Sequence, residues 1–231
     1  MNQQPGQTIY RWKFIEPDNM AMELILIRHG ETDFNRDNVF RGRKDVRLNA
    51  MGIAMAEATA EALKDRVFES IVSSPLKRSY VTAKRIAAPH QIEVRSKFDF
   101  IDISYGVWEG LPEAEVKTKW PGLYKRWVTN PSWVRFPGGE STRHCWKRVI
   151  SGLREILFEQ GTGTIVIVSH RVPIKFMTAY LLGKKRGYIN RIRHDPCAIS
   201  IFKVDDKKPT PVVLNDSSHL AGLSRSEPKD F

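Results

Sequence analysis

Two histidines and two arginines of this chain stand where a phosphate ester can be held and attacked. His29 lies in Arg28-His29-Gly30-Glu31-Thr32, directly after the apolar run Leu24-Ile25-Leu26-Ile27. His170 follows a second run, Ile165-Val166-Ile167-Val168-Ser169, and Arg78 closes Ser73-Ser74-Pro75-Leu76-Lys77-Arg78 after a third, residues 68–72. Phosphate monoester hydrolysis is among the slowest uncatalysed reactions, chiefly because negative charge repels the incoming nucleophile. Arginine forks neutralise that charge and fix the equatorial phosphoryl oxygens. A neutral imidazole can then attack phosphorus and carry the phosphoryl group, which splits one hard displacement into two easier ones. Arg28, Arg78 and His170 are therefore the candidate phosphoryl clamp, supplying positive charge and donors. His29 is the candidate nucleophile, with one ring nitrogen donating to a backbone carbonyl near Gly30. No HExxH segment or carboxylate cluster marks a metal site, so neither a metal nor another cofactor is expected.

These residues need elements to position them. Short, continuously apolar runs suit strands buried on both faces of a parallel sheet. Asn49 is the expected N-cap of a helix through Ala54, Ala58, Ala62 and Leu63, with Gly52 tolerated early in it. Pro75 suits the first turn of a second helix containing Val81, Ile86 and Ala87, and Pro173 the first turn of one after His170. A further helix covers about residues 141–159 and is broken by Gly161 and Gly163. Strand followed by helix, three times over, predicts an α/β three-layer sandwich whose mostly parallel central sheet is flanked by helices on both faces. Ligands collect at the carboxyl ends of such strands, where the histidines and arginines fall. Residues 198–204 and 212–214, joined by a turn at 205–209, read as an antiparallel edge pair. Residues 1–21 show no periodicity and read as an N-terminal extension, leaving 22–231 as a single catalytic domain.

Among 231 residues, 41% hydrophobic and 27% charged is ordinary for a globular chain, and a formal charge of +11 favours anionic partners. Lys184-Lys185-Arg186, with Tyr188, Arg191 and Arg193, raises a remote alternative, a non-catalytic anion- or nucleic-acid-binding module. No segment resembles a nucleic-acid-reading motif, so a small phosphorylated substrate is expected and nucleic acid is not. No apolar stretch approaches the roughly 20 residues needed to span a bilayer, so no membrane partner is expected. Two cysteines, Cys145 and Cys197, form neither a disulfide framework nor a CxxC pair, which points to a reducing, cytoplasmic setting. A homodimer contact through an edge strand or a helix is open.

The ordered set formed by Arg28-His29-Gly30-Glu31-Thr32, Asn35, Ser74-Pro75-Leu76-Lys77-Arg78 with Thr82-Ala83, and Val168-Ser169-His170 resembles the histidine phosphatase superfamily. That group includes cofactor-dependent phosphoglycerate mutases and many phosphatases, and the resemblance spans roughly residues 22–220. It implies the phosphoglycerate mutase-like fold and a metal-independent phosphatase that passes through a phosphohistidine, with a cofactor-dependent phosphoglycerate mutase as the alternative. It also implies Asn35 as a phosphate contact and a proton donor within residues 100–110. Asp102 stands there where most relatives have glutamate, with Glu109 as rival donor or as a carboxylate fixing the loop. Glu31 is expected to hold Arg28 or its loop.

Two further departures touch the pocket. Arg171 follows His170 where many relatives carry glycine; either it contacts phosphate or carboxylate, or only its backbone N–H faces the anion while the side chain points to solvent. Arg41, in Phe40-Arg41-Gly42, replaces a smaller polar residue; either it biases the pocket towards an acidic substrate or it is a surface arginine on a mobile loop. Pro137-Gly138-Gly139-Glu140-Ser141 resembles a phosphatase segment in which Glu140 lines the substrate side, with Ser141 beside it or capping the next helix. Residues 105–133 resemble the Trp-Glu-Gly type of phosphatases, including alpha-ribazole phosphatases. A helical cap is expected near 111–143, where Trp120, Tyr124, Trp127 and Trp133 either cover the substrate or pack on their own domain.

Overall fold

The computed structural model describes residues 22–205 and 208–223. The expected extension at 1–21, two residues of the expected turn, Asp206 and Lys207, and residues 224–231 lie outside the described residues. In chain order the main elements are β1 (Met22–Arg28), α1 (Asp33–Arg36), α2 (Ala50–Leu63), β2 (Ser70–Ser73), α3 (Lys77–Ala87), β3 (Val94–Ser96), α4 (Glu113–Lys119), α5 (Pro121–Thr129), α6 (Thr142–Gln160), β4 (Thr164–Ser169), α7 (Arg171–Leu181), β5 (Ile199–Val204) and β6 (Thr210–Asp216).

The strands form one sheet in the order β3-β2-β4-β1-β5-β6. β3, β2, β4 and β1 pair in parallel, while β5 runs antiparallel to β1 and β6 antiparallel to β5. Alternate residues of each apolar run enter different cores, which is why the runs are continuous. Leu24, Leu26, Ile165 and Ile167 face Val149, Leu153 and Ile156 of α6 and Phe176 of α7. Ile25, Ile27, Val166 and Val168 face Leu63 of α2 and Ala83 and Ile86 of α3. Burying each such side chain stabilises the fold by about 1.5–3 kcal/mol, so the sheet that carries the site is also the best-anchored layer. The expected sandwich is present, and β5 with β6 is the expected antiparallel pair. β3 was not expected: of its three residues only Val94 is buried, too little to show a period.

Asn49 caps α2 as expected, its Oδ1 accepting from the Gly52 N–H at 2.8 Å. Pro75 does not open α3: the helix starts at Lys77 with Leu76 at the N-cap, and Ser74 Oγ takes the Leu76 N–H at 3.3 Å. Pro173 does lie in the first turn of α7, where an amide would have no helical partner. Ser141 caps α6, accepting from the His144 N–H at 3.2 Å. The segment near 111–143 is helical. Val116 of α4 and Trp127 of α5 join the core that contains Leu24, and Trp120 and Tyr124 pack against it. Trp133 is the exception, 76% exposed, with the Arg186 guanidinium 4.2 Å from its ring.

Candidate active site

Sheet register sets the two histidines side by side. Arg28 pairs with Ser169 across β1 and β4, and the His29 N–H donates to the Ser169 carbonyl at 2.9 Å. The two chains therefore leave the sheet at one level, with the His29 and His170 ring centroids 5.1 Å apart. On the other flank of β4, Ser73 pairs with Val168, and the chain turns at Ser74-Pro75 into α3 and Arg78. Two glycines let α2 close on this corner. A side chain on Gly30 would strike the Gly52 carbonyl, and one on Gly52 would strike the Glu31 carbonyl. The Gly30 N–H donates to Thr82 Oγ1 of α3 at 3.1 Å. Thr32 and Asn35 form a capping box at α1, the Asn35 Oδ1 accepting from the Thr32 N–H and hydroxyl at 3.1 and 2.8 Å.

His29 is fully buried and its Nδ1 lies 2.7 Å from the Gly30 carbonyl oxygen. A carbonyl only accepts, so Nδ1 carries the proton and Nε2 keeps the lone pair. Arg78 Nε donates to that lone pair at 3.2 Å, a long bond that an incoming phosphorus would displace. Burial first, then the guanidiniums of Arg78, Arg41 and Arg28, push the His29 pKa well below 6.5, so the ring is neutral at neutral pH. His170 Nε2 is hydrogen-bonded to Ser74 Oγ, 2.7 Å away. His170 Nδ1 has no hydrogen-bond partner among the described residues and stands 3.9 Å from Asp102 Oδ2. Burial and Arg78 also hold the His170 pKa well below the imidazole range. Burial and the neighbouring Arg78 therefore act against the fixed positive charge expected of His170.

Arg78 is fully buried and joins the site's parts: Nη1 donates to the Lys44 carbonyl and Nη2 to the Gly42 carbonyl, both at 2.8 Å, and Nη2 lies 3.3 Å from Asp102 Oδ2. Arg28, 3% exposed, donates from Nη1 to the His194 carbonyl at 2.8 Å. The loop of His194 is tied to β6 in turn, the Asp195 N–H donating to Asn215 Oδ1 at 2.7 Å.

Arginines hold the backbone around Asp102. Arg148, on α6, donates from Nη1 to the Asp99 and Ile101 carbonyls at 2.7 Å each and from Nη2 to the Asp102 carbonyl at 3.0 Å. Arg43 Nε adds a bond to the same Asp102 carbonyl at 3.3 Å. Glu140 grips Arg148 with both oxygens at 2.9 Å. Burial acts to raise the Glu140 pKa, but Arg148 outweighs it and holds the carboxyl below its ordinary value. Glu109 Oε1 accepts from the Arg43 N–H, Ser104 Oγ and the Tyr105 N–H at 3.1, 3.1 and 2.9 Å. Among the described residues no group of three or more His, Cys, Asp or Glu side chains is placed to hold a metal ion.

Residues 24–217 match the family model of the histidine phosphatase superfamily, branch 1. The chain belongs to the histidine phosphatase superfamily. It is similar to phosphoserine phosphatase 1 of Hydrogenobacter thermophilus, 34% identical over 199 residues that cover 86% of this chain and 94% of the relative. It is 31% identical over 212 residues to phosphoglycerate mutase-like protein 4 of Arabidopsis thaliana, covering 90% and 91% of the two chains. A mutant phosphoserine phosphatase from Entamoeba histolytica, solved in complex with phosphoserine, superposes with a TM-score of 0.78 at 30% identity, covering 86% of this chain and 99% of that one. This histidine phosphatase is accordingly an enzyme, a phosphoric monoester hydrolase of the histidine type.

Arg28, His29, Arg78, Asp102 and His170 converge in one buried cluster at the carboxyl ends of the strands, and Arg41 joins them: its charge bears on both His29 and His170. Arg41 is 8% exposed, and its loop is fixed by the bonds that Arg78 makes to Gly42 and Lys44, so it is no mobile surface residue. Arg171 is 5% exposed and hydrogen-bonded to the Tyr105 hydroxyl, so its side chain does not point to solvent. Asn35 has its carbonyl oxygen engaged in the capping box. Glu140 lies behind Asp102, engaged with Arg148, and borders a cleft lined by Arg43, Ser104, Arg135 and His144. Glu109 fixes the loop, and Glu31 Oε1 accepts from Asn49 Nδ2 at 2.9 Å. Sequence reasoning missed Arg148 and Arg43. The available signal was Arg148 itself, a charged residue at the apolar spacing of Cys145, Val149 and Gly152 on the buried face of α6.

Proposed function

We propose that this histidine phosphatase is a metal-independent phosphomonoester phosphatase that works through a phosphohistidine on small phosphorylated metabolites. The observation that carries the reading is the bond between His29 Nδ1 and the Gly30 carbonyl, which aims a neutral Nε2 lone pair between Arg78 and His170. Arg28, Arg78, the His170 imidazole and the amide N–H2 of Asn35 hold the phosphoryl oxygens. Nε2 attacks phosphorus, the ester P–O bond breaks, and Asp102 gives its proton to the leaving alcohol oxygen. Asp102, now a carboxylate, takes a proton from water as that water attacks the phosphohistidine. Inorganic phosphate leaves, and neutral His29 and protonated Asp102 are restored. Where most relatives have glutamate, Asp102 takes this role with its backbone held by Arg43 and Arg148.

Residues 22–231 form one catalytic domain with a helical insertion near 111–143, and the buried thiols Cys145 and Cys197 fit a reducing cytoplasm. Phosphoserine and phosphoglycerate, which appear in the relatives' names, are the first metabolites to assay. The test is phosphate release from p-nitrophenyl phosphate and 3-phosphoglycerate with a chelator present. Sustained release is expected; release that stops with chelator and returns with a divalent metal contradicts metal independence. Isomerisation of 3-phosphoglycerate without phosphate release contradicts the phosphatase reading in favour of a mutase.

A further inference from the structure

Arg28 is clasped at both ends by one tight turn. Its backbone carbonyl accepts from the Cys197 N–H at 2.9 Å, and its guanidinium Nη1 donates to the His194 carbonyl at 2.8 Å. Between them the Ala198 N–H closes on the Asp195 carbonyl at 3.1 Å, with Pro196 second in the turn and Cys197 third at a φ of +55°. That third position usually takes glycine or asparagine, because a Cβ crowds the left-handed region. A cysteine keeps such a conformation only where its surroundings impose it. Here Cys197 is fully buried in a cluster with Met55, Ala56 and Leu220, which holds the turn in one shape.

The far side of the turn is held by β6, a strand that contributes little packing: none of its seven residues is buried. Ile199 pairs with Asp216 and Ile201 with Val213, so Leu214 and Asn215 together face the single residue Ser200. Such a β-bulge re-aims a side chain out of the strand's alternation. Asn215 takes a φ of +55° there, which asparagine tolerates better than most residues. Its Oδ1 accepts from the Asp195 N–H at 2.7 Å, and its Nδ2 donates to Asp195 Oδ2 at 3.2 Å. Ser200 Oγ accepts from the Asn215 N–H at 2.9 Å and lies 3.1 Å from His194 Nε2. The N–H that Asn215 holds and the carbonyl that holds Arg28 belong to the same peptide plane, between His194 and Asp195. The Asn215 amide therefore sets the orientation of the carbonyl that receives the guanidinium, and the two hydrogen bonds polarise each other through that plane.

We propose that Asn215 is a positioning residue for the phosphoryl clamp: by fixing the His194–Asp195 peptide it holds the Arg28 guanidinium in place to meet the phosphoryl oxygens. This rests on the phosphatase reading, in which Arg28 is part of the clamp, and gives the bulged end of β6 a part in binding phosphate.

The test is a double-mutant cycle between Asn215→Gly and Arg28→Gln, read as kcat/KM on p-nitrophenyl phosphate and on an alkyl phosphate, and as the Ki of inorganic phosphate as competitive inhibitor. Glycine accepts the left-handed backbone, so the substitution deletes the side chain alone. Asn215→Gly should lower kcat/KM at least about fivefold on both esters alike and raise the phosphate Ki by a similar factor. In the Arg28→Gln background the same change should cost less than about twofold, because the group it acts through is already gone. Thermal midpoints keep every assay on folded enzyme. Should Asn215→Gly not fold, Ser200→Ala takes its place in the cycle, with the same pattern expected at about threefold. Equal losses in both backgrounds, or an unchanged phosphate Ki, overturn the positioning role and leave the phosphatase reading standing. Arg28→Gln at full activity removes Arg28 from the clamp and the proposal with it. Wild type that turns over neither ester overturns the phosphatase reading itself.

Discussion

The site has two halves built by different means. His29, His170 and the start of α3 are placed by the sheet: parallel register, amide-to-carbonyl bonds and apolar side chains buried on both faces. The loops at 40–44 and 100–109 have no such ladder. They are held by long side chains reaching backbone carbonyls, from Arg78, Arg43 and Arg148, and by the carboxylates Glu109 and Glu140. In the proposed mechanism the sheet half fixes where phosphorus is attacked, and the loop half fixes where the leaving oxygen finds its proton. Both halves are packed, the loops through Phe40, Phe100, Ile103, Tyr105 and Trp108, but only the loop half has its backbone tied by charged side chains, so perturbations should separate them.

Arg78→Ala breaks both halves, because Arg78 touches His29, Asp102 and the 42–44 carbonyls. It should remove about 2–4 kcal/mol of transition-state stabilisation on every ester, read as kcat/KM. A loss confined to one class of leaving group would mean that Arg78 serves only one half. Asp102→Asn damages the loop half alone. Alkyl phosphates should slow by roughly 100-fold, while p-nitrophenyl phosphate, whose leaving group hardly needs a proton, changes little. Equal losses on both would remove Asp102 as the acid. Arg148→Lys sharpens the contrast: a lysine cannot make the forked bond to Glu140 and reach three carbonyls. It should give the same leaving-group pattern as Asp102→Asn at about tenfold. A uniform loss would assign Arg148 to general stability.

Acid should separate the halves in the stability profile. His29, His170 and His194 are all buried with lowered pKa values, that of His194 to about 3 through burial and Arg28. The unfolded chain binds protons below about pH 6.5 that the folded chain refuses, so the thermal midpoint should begin to fall there. The Glu140 contribution is complete above the ordinary carboxylate value and fades as pH drops towards its lowered folded value. Glu140→Gln should therefore flatten the profile only below about pH 4.5. A midpoint constant from pH 7 to 5 would contradict the neutral burial of the histidines.

The sheet half was legible because its signals are local: continuous apolar runs, the residues that end them, and the caps Asn49 and Ser141. The expected cluster of Arg28, His29, Arg78 and His170 follows from strands ending at one level. Two features were hidden because their causes are distant in sequence: Arg148 acts on residues 46 to 49 positions away, and the anchor of Arg28 is a carbonyl 166 residues on. β3 was hidden because it has only one buried side chain. The charge state of His170 depended on burial, which no motif states. Arg41 and Arg171 stood out as departures, yet only their burial separated a pocket residue from a surface one.

The most direct test of the central claim is to quench the enzyme with acid-free denaturant during turnover of a 32P-labelled monoester and map the retained label. The account predicts a phosphoryl group on His29 Nε2, stable to alkali and lost in acid, and none in His29→Ala, which should not turn over. Turnover by wild type with no label on His29, or turnover by His29→Ala, would contradict it.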